Sequence, residues 1–442
     1  MRPLHVLAIA IAAAGGAVSS PHPLRPIGSP LGSGGGADSA RVAMLLAALG
    51  RTDPLICDMI GDQLGNFWMG HNSGSLGRFS DAPTGLQGAK DSLAGTITDP
   101  RAITLLVATL GTPNPCVRRI AAKLLGQSAV HSDVLRGLLG NASPVIRESA
   151  AYAAGHGERR ELRAALERGL ADSGGGARPA AMAAWALGEI QDPASAAALQ
   201  GAVHATSPRV RLAAAWALGQ FEDASYVKDV LPLLRDTDPV MRATAAEALG
   251  KTKSPRVGAA LLGALTDRSD AVRRAAVSAL GDLHERAAVA PLEGLLLNDA
   301  DSEVRRACAH ALGDLSEARS LEPLARALGD QDVEVQRAAA DAIGDLDDVT
   351  KAPAALVRAT TSPDLELRRT ATKALAHIGD EATVQALTLR LGDDDKEIRL
   401  AAVEGLGEMK VAAAIPGLTR ALNDRDPEVR RAAAEALGKT DN

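Results

Sequence analysis

Residues 426–438 read DPEVRRAAAEALG, and variants of this stretch return along most of the chain. Asp426 stands where a side-chain oxygen caps the free N–H groups of a first helical turn. Pro427 follows at the first helical position, where a missing N–H costs nothing. Val429, Ala432, Ala433, Ala436 and Leu437 then recur at helical spacing and make one apolar face. Gly438 reads as a left-handed stop. A second helix precedes this one, from Ile415 to Leu422, and ends in Asn423-Asp424. A helix pair this short cannot bury its apolar stripe alone, so pairs of this kind stack, each touching only its neighbours. Alanine at the tight positions lets the helices approach closely. The predicted chain is all-α, extended and curved.

The period is read most directly from the position eight residues before each glycine. Arginine holds it at Arg118, Arg147, Arg211, Arg242, Arg273, Arg305, Arg368, Arg399 and Arg430, with Ala180 and Gln336 in the same place in two further units. Successive markers lie 29 to 33 residues apart, which gives eleven clear units. Two degraded copies upstream, ending at Gly65 and Gly95, carry Cys57 and Gln87 at the marker and bring the expected total to about thirteen helix pairs.

The pattern D-x-D/S-P-x-V-R-x-x-A-A-x-A-L-G resembles the HEAT-repeat family, in its short-repeat branch named after phycobilisome lyases, closely over 98–442 and weakly over 40–97. The resemblance implies a right-handed α-α superhelix, an α-solenoid whose marker helices line the concave face. It also implies a ladder in which turn aspartates bond marker arginines between repeats, here Asp236, Asp267, Asp299, Asp330, Asp393 and Asp424. Thr112, Asn141, Thr206 and Ser362 replace the aspartate, so the ladder is expected to be weaker in the N-terminal half.

Outside the regular array at 98–442, residues 1–19 combine a basic start at Arg2 with an apolar run from Val6 to Val18 and small residues after it. They read as a secretory signal peptide, too short to span a bilayer, and imply export to the periplasm or beyond the cell. Residues 20–38, rich in Pro, Gly and Ser, read as a flexible linker, with folding starting near Ser39. Residues 39–97 hold the degenerate repeats, broken at 66–85 by an insertion that reads either as a cap over the end of the stack or as a binding loop. Of three cysteines, Cys308 replaces a packing alanine and reads as a buried thiol. Cys57 and Cys116 lie two repeats apart and would meet in a disulfide only if the weak unit between them stacks irregularly.

Net charge is −6, and arginine (38) far outnumbers lysine (10), so no net basic field favours nucleic acid and the arginines read as mostly structural. The di-iron hydroxylase built on this repeat carries His-Glu pairs just after the marker. Those places here are Arg274-Ala275, Arg306-Ala307, Arg337-Ala338 and Arg369-Thr370. His284-Glu285 follows a helix end, and no HExxH or other metal-ligand spacing occurs. Gly250-Lys251-Thr252 mimics the end of a phosphate loop but lacks its upstream glycine, replaced by Ala245, and follows a helix C-terminus, whose dipole repels phosphate. No catalytic residue, metal or cofactor is expected.

The fifth position after the marker, which the resemblance turns into the groove, reads Tyr152, Trp185 and Trp216, then Glu247, Ser278, His310, Asp341, Lys373, Glu404 and Glu435. Three aromatics in consecutive repeats stand out in a chain that is 2% aromatic. With His156 and Glu189 they form the candidate partner-binding surface, since Trp and Tyr dominate binding hot spots. The alternative is that the rings fill space over small neighbours as local core. The first position after the marker gives a second, basic row at Arg274, Arg306, Arg337 and Arg369, which would either grip an acidic partner or pair along its own helix surfaces. The expected function is a non-catalytic scaffold that binds a protein partner in the concave groove. A lyase-like or chaperone-like activity on the same groove is the alternative, and nucleic-acid binding through the arginine row a second one.

Overall fold

The computed structural model describes residues 36–49, 97–172 and 176–440. The expected signal peptide, most of the linker, the insertion at 66–85 and Cys57, with its expected bond to Cys116, lie outside the described residues. The first helix, α1 (Gly36–Leu49), begins inside the expected linker and buries Val42, Leu46 and Leu49 in the core.

Eleven helix pairs follow, one for each clear unit of the sequence. The leading helices are α2 (Pro100–Thr109), α4 (Ser132–Leu139), α6 (Arg163–Ala171), α8 (Ala196–Ala202), α10 (Val227–Val230), α12 (Gly258–Ala264), α14 (Val289–Asn298), α16 (Leu321–Ala327), α18 (Ala354–Ala359), α20 (Glu381–Arg390) and α22 (Ile415–Ala421). The marker helices are α3 (Pro115–Gly126), α5 (Pro144–His156), α7 (Ala177–Ile190), α9 (Pro208–Gln220), α11 (Pro239–Lys251), α13 (Asp270–Asp282), α15 (Ser302–Leu315), α17 (Val333–Asp345), α19 (Leu365–Ala376), α21 (Lys396–Met409) and α23 (Pro427–Thr440). No strand occurs among the described residues, and the pairs wind into a right-handed α-α superhelix. Successive marker helices pack along their lengths, whereas successive leading helices touch far less, so the marker layer lies on the inside of the curve.

The starts of the marker helices obey the capping argument. Asp238 accepts the N–H of Val240 at 3.0 Å, Asp332 that of Glu334 at 2.9 Å, and Asn114 those of Cys116 and Val117 at 3.0 and 3.2 Å. The glycines do not stop the helices. α23 runs through Gly438 to Thr440, and the left-handed turns come about three residues after the glycine, at Glu158, Gln191, Glu222, Lys253, His284, Ser316 and Lys410. The glycine is required by proximity instead. A Cβ on Gly219 would lie 2.7 Å from the Cα of Ala248, and one on Gly250 would lie 2.6 Å from the Cβ of Ala279. Gly188 against Ala217 and Gly407 against Ala436 repeat the arrangement. Each glycine is the floor on which an alanine of the next marker helix rests.

The junction between α19 and α21 has this contact reversed. Ala376 occupies the glycine place, and the alanine place of the next helix is Gly405, where a Cβ would fall 2.6 Å from that of Ala376 and 2.9 Å from Cδ1 of Leu387. One small residue per junction is kept, on either side.

The ladder is present and has two defects. Nη1 of Arg242 donates to the carbonyls of Asp236 and Thr237 in its own turn, at 2.9 and 3.2 Å. Its Nε and Nη2 reach across to both carboxylate oxygens of Asp267, each at 2.8 Å. Asp267 also accepts the N–H of Ser269 at 2.9 Å, so one carboxylate shapes its own turn and receives the previous repeat. The fork from Arg242 holds that carboxyl below its ordinary pKa. Arg273 with Asp299, Arg305 with Asp330 and Arg399 with Asp424 repeat this bidentate rung. Toward the N-terminus it loosens, to 3.5 Å between Arg211 and Asp236, and Ala180 with Thr206 has no groups to form it.

The second defect is at Gln336 and Ser362. Gln336 is too short to cross and donates to the carbonyl of Asp330 at 2.5 Å in its own turn. Arg337, one residue on, bonds both oxygens of Asp364 at 3.0 and 2.6 Å. At the following junction Arg368 stands 3.7 Å from Asp393, and Arg369 takes the load on Asp395 at 3.0 and 2.6 Å. Cys308 is a buried free thiol, pushed up in pKa by burial.

The Gly405→Ala substitution sets the helix-propensity gain of removing a glycine, about 1 kcal/mol, against overpacking of about 1–3 kcal/mol. Because the contacts fall below 3.0 Å, overpacking is expected to win and to lower the urea midpoint. Adding Ala376→Gly is expected to recover more than half of that loss. An additive double variant would show that the two positions do not share one contact.

Candidate functional site on the concave face

Positions one, five and nine after the marker are successive i, i+4, i+8 places on one helix face, and on the inner layer that face lines the groove. From α11 onward the fifth place is open to solvent, at Glu247, Ser278, His310, Asp341, Lys373, Glu404 and Glu435. The ninth place, which the sequence analysis used only at His156 and Glu189, adds Asp282, Asp314 and Asp345 in three consecutive repeats. Continuing the count by four from the fifth place would have found them. Burial in the groove, with Asp314 alongside, raises the pKa of Asp282. Burial, with Asp341 and Asp314, raises that of Asp345. Desolvation between the inner helices also raises Glu247, against the opposing charges of Lys251 and Arg274.

In α5, α7 and α9 the same face is aromatic. Tyr152 stacks on Trp185 with ring centroids 5.2 Å apart and an interplanar angle of 22°, and Trp185 on Trp216 at 6.4 Å and 18°. The rings cover one another. Trp185 is 3% exposed and Trp216 8%, and a Cβ on Gly155 or Gly188 would strike their six-membered rings at 2.6 and 2.9 Å. Each indole therefore sits in the glycine socket of the preceding repeat. Of the alternatives open in the sequence, the two tryptophans follow local core, and the surface is left to Tyr152, His156 and Glu189, all half-buried.

His156 meets Tyr152 edge-on at 4.4 Å and lies 5.2 Å from Trp185. Its Nε2 and the Nε1 of Trp185 are buried and find no hydrogen-bond partner. Burial, helped by Lys123, brings the imidazole down to about 4. Burial raises Tyr152 to about 12, and also raises Glu189, which is further raised by Glu158. The structure thus unites four of the five predicted residues, Tyr152, His156, Trp185 and Trp216, in one ring cluster. Glu189 lies at the ninth place of the same helix as Trp185.

The basic row is not a free row. Arg337 and Arg369 are consumed by the substitute rungs to Asp364 and Asp395, and Arg306 bonds Glu303 at 2.5 Å. Arg274 alone of the four stands half-buried without such a rung. Among the described residues no group of three or more His, Cys, Asp or Glu is placed to hold a metal ion, and no helix is long and apolar enough to cross a membrane.

The family model for HEAT repeats matches residues 199–281, 258–334, 322–397 and 384–442. The chain belongs to the HEAT-repeat family. The PBS lyase HEAT-like repeat matches 180–203, the stretch that contains Trp185. Among solved structures, importin beta is 16% identical with a TM-score of 0.50, covering 91% of this chain and 63% of its own. An engineered protein is 21% identical (TM-score 0.46; 77% of this chain, 99% of that one). The CpcE–CpcF complex of phycocyanin lyase from Nostoc sp. PCC7120 is 23% identical (TM-score 0.34; 56% and 93%). No curated protein matches the chain. The likeness to importin beta speaks for the solenoid fold alone.

Two outcomes follow from the ring cluster. Trp185→Ala is expected to cost about 3–5 kcal/mol, the range for emptying a buried large side chain, read as a lowered urea midpoint. Glu189→Ala is expected to stay within about 0.5 kcal/mol of the parent. Equal effects would contradict the burial difference.

For His156 the pKa is depressed, so the folded state binds its proton only near pH 4, whereas the unfolded chain binds it from about 6.5 downward. Its contribution is fully present above pH 6.5 and is lost as pH falls toward 4. Glu189, with its raised pKa, acts in the opposite direction, losing stability as pH rises above the ordinary carboxylate range. Comparing wild type with His156→Gln separates the two. The difference in unfolding free energy is expected to change between pH 6.5 and 4 and to stay flat from 6.5 to 8.

Proposed function

We propose that this HEAT solenoid is a protein-interaction scaffold that holds a protein partner along its concave face, without catalysis. The observation that supports this most is the uninterrupted inner surface from α5 to α23. There the fifth and ninth places present the Tyr152, His156 and Glu189 rim of the ring cluster, then side chains that the fold itself does not need, Glu247, Asp282, Asp314, Asp341 and Asp345. Trp185 and Trp216 serve this surface as its rigid floor, and the partner meets the polar rim above them. Export, read from residues 1–19, places the encounter outside the cytoplasm and is part of the proposal.

A photo-crosslinking residue placed singly at Ser278, at Asp341 and, on the outer layer, at Leu389 distinguishes this reading. Ser278 and Asp341 are exposed on the inner helices, and Leu389 is exposed on α20. In cells that make the protein, the expected outcome is one shared adduct from Ser278 and Asp341 that is absent from Leu389. Adducts from Leu389 alone would move the partner to the outer layer and overturn the reading.

A further inference from the structure

Three departures from the repeat fall at one junction, between α16 and α18. The marker is Gln336, the turn aspartate is Ser362, and α18 has only six residues. The guanidinium and carboxylate that fill the wedge at the regular rungs are absent here. In their place is an open cleft of about 570 Å³, in the size range of ligand sites.

The chemistry of the cleft is specific. Leu328, Ala359 and Leu367 supply apolar lining, and all three are buried. Arg358, on the last turn of α18, is exposed at the cleft, and its guanidinium pairs with no described residue. One repeat on, its place is held by Leu389, and the following residue closes the junction: Nη1 of Arg390 crosses to the carbonyl of Thr360 at 3.1 Å and to Asp393 at 3.2 Å. The place equivalent to Arg390 is Ala359 and that equivalent to Thr360 is Leu328, so in the cleft no side chain makes this crossing. Arg326 adds a second cation, loosely held 4.0 Å from Glu322. Ser362 accepts the N–H of Asp364 at 3.2 Å, which leaves its own O–H to donate.

We propose that this cleft is a second binding site, on the outer layer and separate from the groove, for a peptide segment that pairs a carboxylate with an aliphatic side chain. The carboxylate takes the planar fork of Arg358 and the hydroxyl of Ser362. The aliphatic group fills the space between Leu328 and Leu367. The segment thereby supplies, from another molecule, the acid and the bulk that the missing rung supplies at other junctions.

A phage-displayed library of random twelve-residue peptides, selected on the full-length protein, tests this. Peptides with Asp or Glu beside Leu, Ile or Val are expected to enrich. Their affinity, measured with synthetic peptide, is expected to fall at least ten-fold in Arg358→Ala. The paired change Gln336→Arg with Ser362→Asp rebuilds the rung and closes the cleft. It is expected to abolish binding while the urea midpoint holds or rises, which separates occlusion from unfolding. Tyr152→Ala, in the concave groove, is expected to leave peptide affinity unchanged, so failure here and failure of the groove reading are independent. No enrichment, enrichment of basic peptides drawn to Glu322, or full affinity in either cleft variant overturns the proposal.

Discussion

Each marker helix lies so close to the next that one of the two facing positions must lack a side chain. This Gly–Ala contact fixes the spacing of the inner layer, and the spacing decides the rest. Helices this close bury alanine faces that would be too shallow to hold a helix pair by themselves, at about 25 cal/mol per Å² of apolar area removed from water. The reversal at Ala376 and Gly405 shows that the requirement belongs to the contact and not to either position. It also explains why glycine persists inside helices, where it would otherwise cost about 1 kcal/mol relative to alanine.

A smooth contact between small residues sets distance but not register, because alanine on glycine slides easily. Register comes from longer side chains, and the two halves of the molecule obtain it differently. Toward the C-terminus, bidentate Arg–Asp rungs lock one turn to the next with directional bonds. Such partly buried pairs add little net stability after desolvation, yet they tolerate only one alignment. Around Ala180 and Thr206, where no rung can form, the Tyr152–Trp185–Trp216 stack crosses the same junctions, each indole seated in a glycine socket. Rings and rungs are alternative solutions to one problem, which accounts for the confinement of stacked aromatics to the stretch where the ladder is weak.

The period, the eleven pairs and the capping residues were legible in the sequence because each rests on short-range spacing, whereas the ladder partners were implied by the family resemblance. The role of the glycines was not. A glycine after an alanine-rich helix ordinarily marks a left-handed end, and only the approach of the next repeat, about 30 residues away, reveals the steric need. The left-handed turn itself falls on Lys253, His284, Ser316 and other residues with no special signal. The burial of Trp185 was open for a related reason. The fifth position faces the groove in every repeat, but whether a ring there stands up or lies down depends on an empty socket in the preceding helix. The arginine row looked uniform, yet Arg337 and Arg369 were diverted by the loss of one marker at Gln336, a cross-repeat effect that no single unit displays.

These observations together bear on where a repeat scaffold has freedom to acquire function. A side chain engaged in spacing or register is fixed by its neighbours on both sides, so the Gly–Ala positions and the rungs leave little room for change. What remains is the groove face beyond the ring cluster, whose fifth place varies from Glu to Ser to His without altering the stack, and any junction whose register is held from an unusual position. The junction at Gln336 is of the second kind. Once Arg337 and Asp364 hold the alignment, the volume normally occupied by the rung is released from structural duty, and Arg358 faces it with its donors unspent. The groove is open from α11 onward because the fold does not need the side chains that line it there. The cleft is open in one because the fold found another way to close the same joint.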